Sequence, residues 1–320
     1  MPREAWSRYW ASGALHSCSG SFDGNYGGAL AAFWHEAFAA LPPGARVLDI
    51  GCGNGPLAQL LLDSGGSHGM LYDGIDLAQI APAWAAGRPG LHWHPGQRAE
   101  ALPFAEASFD LVVSQYGIEY ADLPRAAAEA VRVCRPGGAL RWLLHHARSR
   151  PCTLARDERR HLAWLLEADG FLARGQAMLE PMSLLGRPEA AARLRSDRRF
   201  LAVRAAFDEV SAQLAERHAA AVCPDVLDDA RLGAAEHFRI AAAQGHEAAL
   251  RAWRGWRAAL ADADSRLQDM LSHALDEVAL QRLVAQLGEL GVQASARELN
   301  EGEHLKIGRA SCRERVFRTV

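Results

Sequence analysis

Hydrophobic and polar positions change their period twice along this 320-residue chain. Between about residues 46 and 146, short apolar runs alternate with helical stretches. Val47, Leu48 and Ile50 form the compact run expected of a central parallel strand, which is covered on both faces. Similar runs near 70–75, 90–94, 109–114 and 139–145 predict four more strands. Helices over 56–64 and 123–134, and a shorter one near 79–86, are predicted between them. Such alternation predicts an α/β fold with a doubly wound, mostly parallel sheet spanning residues 46–150. From 151 to 290 strand-like alternation is lost. Ala, Leu, Arg and Glu dominate, and apolar residues return every three or four positions, as in Leu162, Leu165 and Leu166 or Leu260, Leu267 and Leu271. That pattern predicts a large all-helical insertion after the fifth strand. Three roles stand open for it: a substrate lid, a dimer surface, or an elaboration with no chemical role. Trp253 and Trp256, three apart on one helix, read as core or interface rather than as a substrate platform. A strand-like run resumes at 292–298. Ahead of the sheet, residues 1–45 carry Trp6, Tyr9 and Trp10, then a glycine- and serine-rich stretch with Asp23, Asn25 and Tyr26. A helix over 29–41 follows, stopped by Pro42, Pro43 and Gly44. This is a helical cap: either a lid over a ligand or an arm packing its tryptophans on the core.

The chemistry starts where the first strand ends. Residues 47–55 read VLDIGCGNG, a strand closing on Asp49 followed by glycine at every second position: Gly51, Gly53 and Gly55. Glycines at that spacing let the backbone turn sharply and approach a ligand without interference from Cβ. Turns of this kind hold nucleotide-like molecules at the carboxyl edge of an open α/β sheet, with the amides at the start of the next helix against the ligand. A dinucleotide fingerprint would need a third glycine where Pro56 stands, so that match fails.

The turn and its neighbours resemble the class I S-adenosylmethionine-dependent methyltransferases, with a core like those of methyltransferase types 11 and 25. The first motif of that family, D-x-G-x-G-x-G, is present as Asp49, Gly51, Gly53 and Gly55. A second strand-like run ends in GIDLA and places Asp76 one strand–helix–strand repeat later. Residues 99–120, AEALPFAEASFDLVVSQYGIEY, and the turn at Pro136, Gly137 and Gly138 extend the likeness, which covers roughly residues 30–146. The resemblance implies a Rossmann-like sheet and S-adenosyl-L-methionine as cofactor, leaving S-adenosyl-L-homocysteine as product. It implies cofactor contacts from Asp49, Gly51, Cys52, Gly53 and Gly55, from Asp76 and Leu77 at the ribose and adenine, from Ala99 and Glu100 at the adenine, and from Ser114. One position departs from the family pattern: the residue before Ala99 is commonly an acid, and here it is Arg98. Either Glu100 takes over that role or backbone groups near Ala99 read the adenine. Arg98 is also the one feature favouring the alternative, a non-catalytic cofactor-binding or scaffold protein of the same fold.

Methyl transfer from a sulfonium is an in-line displacement, in which alignment contributes most. A base is needed only where the acceptor must lose a proton. Candidates at the strand ends are Tyr116 and Glu119 after the fourth strand, and His145 and His146 after the fifth. Neighbouring residues of a strand point to opposite faces, so at most one of the two histidines should reach a pocket. The Asn/Asp-Pro-Pro-Tyr signature of base methylation is absent. With a formal charge of −3 and no basic block, that argues against nucleic acid and for a small-molecule acceptor.

Composition adds little: 49% hydrophobic and 23% charged residues are ordinary for a globular protein. Six scattered cysteines without a C-x-x-C pair indicate neither a metal site nor a disulfide frame. No membrane span or leader is evident, so a cytoplasmic location is expected, with a homodimer through the helical insertion as a further expectation. Residues 307–316, IGRASCRERV, resemble a sequencing adapter translated in one frame, so residues 307–320 are expected to be an appended artefact. In the family a sixth strand and an antiparallel seventh close the sheet. Residues 291–306 would then be its truncated end, with the seventh strand missing from residue 304 on. The resulting gap would leave unsatisfied backbone groups, each costing about 1–3 kcal/mol, and an unstable or insoluble chain is expected.

Overall fold

The computed structural model describes residues 2–17, 24–64, 69–185, 188–194, 196–300 and 313–319. Its elements follow in the order α1 (Pro2–Ala11), α2 (Gly28–Ala39), β1 (Arg46–Ile50), α3 (Pro56–Asp63), β2 (Leu71–Asp76), β3 (Leu91–Pro95), β4 (Phe109–Gln115), α4 (Leu123–Val133) and β5 (Cys134–Leu144). Then come α5 (Arg150–Leu166), α6 (Phe171–Leu184), α7 (Pro188–Leu194), α8 (Arg198–Ala220), α9 (Asp225–Gln244), α10 (His246–His273), α11 (Glu277–Glu289), β6 (Ala294–Asn300) and β7 (Arg313–Thr319). The chain divides into two compact units, Met1–Thr153 with Asp269–Val320, and Leu154–Gln268.

The first unit is the expected doubly wound sheet, with strand order β3-β2-β1-β4-β5-β7-β6. β1 to β5 run parallel, and β7 is antiparallel to both β5 and β6. Strand periodicity explains its two cores. Val47, Leu111 and Val113 face one layer with Leu30, Phe33, Trp34 and Phe38 of α2 and Leu57 and Leu61 of α3. Leu48, Ile50, Val112, Leu140 and Trp142 face the other, with Ala126, Ala127 and Ala130 of α4 and Leu280, Leu283 and Leu287 of α11. Burial on both faces is why these strands read as continuous apolar runs.

Several boundaries differ from the sequence expectations. The helical insertion is shorter than 151–290. Residues 269–290 cluster with the sheet because the leucines of α11 pack against it. Within residues 1–45 only α1 precedes the layered fold, since α2 supplies Trp34 and Phe38 to a sheet core. The helix predicted near 79–86 is a single 3₁₀ turn at Ala83–Ala85, behind Pro82, which lacks the N–H a longer helix would need. Pro136, Gly137 and Gly138 lie inside β5 rather than in a turn before it, next to a register shift between Phe109 and Leu111 of β4. Most consequentially, the gap expected between the outer strands is filled. β7 pairs Arg141 with Arg318 through Leu144 with Arg315, and it pairs along the whole of β6. A slot between two strands offers N–H and C=O groups on both sides, and an extended segment of any sequence can satisfy them. Residues 307–312 of the adapter-like stretch lie outside the described residues.

The second unit is all-helical. Trp253 is fully buried there among Leu162, Leu165, Phe171, Leu179 and Leu227, and Trp256 packs against the same cluster. Its α8 starts on Asp197, whose carboxylate accepts from the amides of Arg199 and Phe200. Among the described residues no helix is long and apolar enough to cross a membrane.

Candidate active site

A cleft of about 280 Å³ opens at the carboxyl ends of the parallel strands, in the sheet unit. Its floor is the glycine turn. Gly51 has φ +74°, and a Cβ there would lie 2.6 Å from the backbone of Gly117, so the loops after β1 and β4 meet in van der Waals contact. Gly53 has φ +51°, and a Cβ there would strike the indole of Trp10 at 2.7 Å. α1 therefore lies directly on the turn. It is tied there by Asn54, whose Nδ2 donates to the carbonyls of Trp10 (2.9 Å) and Ala14 (2.7 Å). Trp6 stacks on Trp10 with ring centroids 5.7 Å apart, and its indole donates to Asp269 of α10 at 3.0 Å. Trp6 and Trp10 of the expected cap thus form an outer wall of the cleft, with Tyr26 and Tyr120 also lining it. Asp23 lies outside the described residues.

Asp76 ends β2 at the lip of this cleft. Its Oδ2 accepts from the amide of Gly53 (3.0 Å) and its Oδ1 from that of Ala78 (2.8 Å). Protein crowded around it pushes its carboxyl up to about 6, against the pull of those two amides. Gly51, Cys52, Leu77, Ala99 and Glu100 line the cleft with it. Leu77 is exposed, an apolar side chain free to cover a flat ligand. The Cys52 thiol is raised well above its ordinary range, by burial first and by Asp49 and Asp76 next, so it is no nucleophile. Glu100 does not offer a free carboxylate. Its Oε1 accepts from the amide of Asp122 at 3.0 Å, and Arg98 stands 3.4 Å from the same oxygen.

Other expected site residues do not line the cleft. Asp49 lies beneath the turn, where the Tyr72 hydroxyl donates to it at 2.6 Å. Burial, with some help from Asp76, pushes its carboxyl up to about 7. Gly55 heads α3, and Trp93 packs where its side chain would be. The Ser114 hydroxyl donates to Ile50 O (2.7 Å) and accepts from Ile118 N (2.9 Å), which brace the turn from below.

Of the four candidate catalytic residues, only Tyr116 faces the cleft. It holds a left-handed backbone, φ +55°, which is rare for an aromatic residue. Its ring stacks on His145 at 4.2 Å. His145 lies behind it and is 4% exposed. Its Nδ1 is 2.9 Å from Glu119 Oε1, which also accepts the His145 amide at 3.1 Å. His146 turns away, its Nδ1 accepting from the amide of Arg148 at 3.3 Å. β5 ends at Leu144, ahead of both histidines, and the aromatic loop after β4 covers His145.

The sequence reading missed Gln115, Gly117 and Asp269, all of which line the cleft. Gln115 carried a readable signal, because it is the polar residue closing an otherwise apolar strand. Asp269 had none: it comes from a helix about 150 residues later. Among the described residues no group of three or more His, Cys, Asp or Glu could hold a metal.

A glycine turn after β1, an acid at the tip of β2 and a cleft across the β1–β4 junction belong to a Rossmann-like fold of the class I type, and residues 48–141 match the family model described as a methyltransferase domain. An uncharacterised protein of Mycobacterium tuberculosis is 38% identical over 105 residues, which cover 32% of this chain and 38% of that protein. The 2-phytyl-1,4-naphtoquinone methyltransferase of Thermosynechococcus vestitus is 37% identical over 114 residues, 34% of this chain and 48% of that one. The malonyl-(acyl-carrier protein) O-methyltransferase of Enterobacter lignolyticus is 34% identical over 135 residues, 41% and 50% of the respective chains. The chain thus spans half or less of these relatives. Among solved structures, an S-adenosylmethionine-dependent methyltransferase from Mesorhizobium loti covers 38% of this chain and 56% of its own, with 28% identity and a TM-score of 0.31.

Proposed function

We propose that this protein is an S-adenosylmethionine-dependent methyltransferase with a small-molecule acceptor. The observation that carries the reading is Asp76, fixed by two amides at the lip of a cleft whose floor is the glycine turn. In that position its carboxylate can accept from both hydroxyls of a ribose. The match of residues 48–141 to the methyltransferase domain supports it, as do relatives named for methylating a naphthoquinone and a carrier-bound malonyl group. The residues present fit the cofactor. Gly51 lets the loop after β4 close on the turn and Gly53 lets Trp10 pack against it, Leu77 and Ala99 offer apolar contact for a base, and Gln115 presents a buried donor.

When bound, the cofactor supplies an electrophilic methyl group on a sulfonium. The chain's own residues orient and seclude it. Asp76 sets the ribose, while Trp6, Trp10, Tyr116 and Tyr120 form walls that exclude water from the acceptor side. Glu119 accepts a hydrogen bond from Nδ1–H of His145, which leaves Nε2 without the proton, and His145 in turn backs the Tyr116 ring. In this reading the pair acts by placing Tyr116, not by touching the acceptor in the conformation described. Calorimetric titration of S-adenosylmethionine and S-adenosylhomocysteine tests the proposal. Saturable binding that Asp76→Ala removes is expected. A folded protein that binds neither compound overturns it, and binding without turnover across an acceptor panel favours the non-catalytic alternative.

A further inference from the structure

Gln115 is the last residue of β4, lines the cleft and is 7% exposed. Its amide orientation follows from chemistry. The indole N–H of Trp34 bonds to Oε1, and an indole can only donate, so the amide oxygen must face Trp34. Nε2 is thereby turned away from α2, and this buried donor has no hydrogen-bond partner among the described residues. A buried amide N–H left unsatisfied is costly, and one at a cleft wall is a group waiting for an acceptor atom.

Sheet order says which atom. β1 lies between β2 and β4, so Asp76 and Gln115 stand at strand tips two spacings apart, roughly 10 Å at about 4.8 Å each. The glycine turn runs between them. With the ribose on Asp76, a chain of thioether and amino-acid carbons laid along that turn ends beside β4. The cations lining the cleft lie at its opposite end. Arg98 follows β3 beside Glu100, and Arg3 lies against Gly96. His16 gives its Nε2 proton to the Gly24 carbonyl at 2.9 Å, and burial holds its pKa down. No lysine or arginine among the described lining residues serves the β4 end, so an anionic group there must be read by neutral donors.

We propose that Gln115, held by Trp34, is the residue that reads the amino-acid carboxylate of the cofactor. This rests on the methyltransferase reading. The tests are two near-isosteric variants, Gln115→Glu and Gln115→Met, titrated calorimetrically at pH 8.5 with S-adenosylhomocysteine and with 5′-methylthioadenosine. The second probe keeps the nucleoside and thioether but lacks the amino acid. Gln115→Glu still accepts from Trp34 but faces the ligand with negative charge, and should weaken S-adenosylhomocysteine about tenfold or more. Gln115→Met removes the donor without adding charge and should weaken it roughly three- to tenfold. Methylthioadenosine should change less than about twofold in both. Unchanged S-adenosylhomocysteine affinity in both variants overturns the assignment. Tighter binding by Gln115→Glu also overturns it, because the side chain would then face the ammonium group. Equal losses of both probes overturn it as well, since the residue would be shaping the cleft as a whole. Wild-type protein that binds neither probe overturns the cofactor reading, and the carboxylate assignment with it.

Discussion

Asp76 in the sheet unit and Asp157 in the helical unit each accept two backbone amides, yet their carboxyl groups move in opposite directions. Asp157 is 5% exposed and accepts from the amides of Val222 (2.7 Å) and Cys223 (2.8 Å). Burial works against its charge, but those amides, with Arg160 and His161 beside it, outweigh that and hold its pKa below the usual range. Asp76 has two amides and no cation, burial prevails, and its carboxyl sits near 6. Asp49 beneath it is raised further, to about 7. One acid is fully satisfied and locks the turn between α8 and α9. The other is held partly against its preference where a ligand can complete it.

Replacement of Asp76 should break the contrast most sharply. Asp76→Ala should lower S-adenosylhomocysteine affinity beyond calorimetric detection, whereas Asp157→Ala should leave it within about twofold of wild type. Equal effects would erase the distinction between the units. Removal of residues 307–320 should come next. It strips β7 from between β5 and β6 and exposes two strand edges. Thermal scans by circular dichroism should show a cooperative transition for the full chain and none for the shortened one.

The pH dependence is smaller and has a definite sign. A protonated Asp76 gives up an acceptor position toward the ribose. Cofactor affinity should therefore be flat above pH 7 and fall about tenfold by pH 5, a loss that calorimetry at several pH values would register. Stability moves the other way. The folded pKa values of Asp49 and Asp76 lie above the unfolded ones, so the native state binds more protons between about pH 4 and 7. Their contribution to stability is thus largest below that window and is lost as pH rises through it. Asp49→Asn, which still accepts from Tyr72, should raise the melting temperature at pH 8 and hardly change it at pH 4. Asp157 has the opposite linkage, its contribution being present at neutral pH and lost as pH falls through its depressed pKa. The gentlest change is Asp157→Ala itself, which should cost about 1–3 kcal/mol in denaturant unfolding followed by helical signal.

The sheet was legible because its signals are local. The apolar run at Val47, Leu48 and Ile50, the alternating glycines and Asp76 one repeat later each follow from a strand's period and from what a turn demands of φ. The outcome at β7 was not legible, because strand pairing is carried by backbone groups that every residue has. Ser114 and Asp49 looked like ligand contacts from their places at strand ends. Both point beneath the turn, since a strand end has two faces and the motif does not say which one is wet. The histidines after β5 were sound candidates by residue type, but a left-handed tyrosine in another loop covers His145, and His146 is bonded to the amide of Arg148.

The sequence by itself determined the α/β class, the turn and the acid at its side, because these depend on spacings of a few residues. Only the tertiary structure decided the working surface of the cleft. It brought Trp34 of α2 against Gln115 of β4 and so set which way an amide points. It also placed Trp10 of α1 on Gly53 and brought Asp269 of α10 to the indole of Trp6. Those relations join residues 43 to 263 positions apart. No periodicity encodes them; they exist because packed faces and buried hydrogen-bonding groups must find partners somewhere in three dimensions.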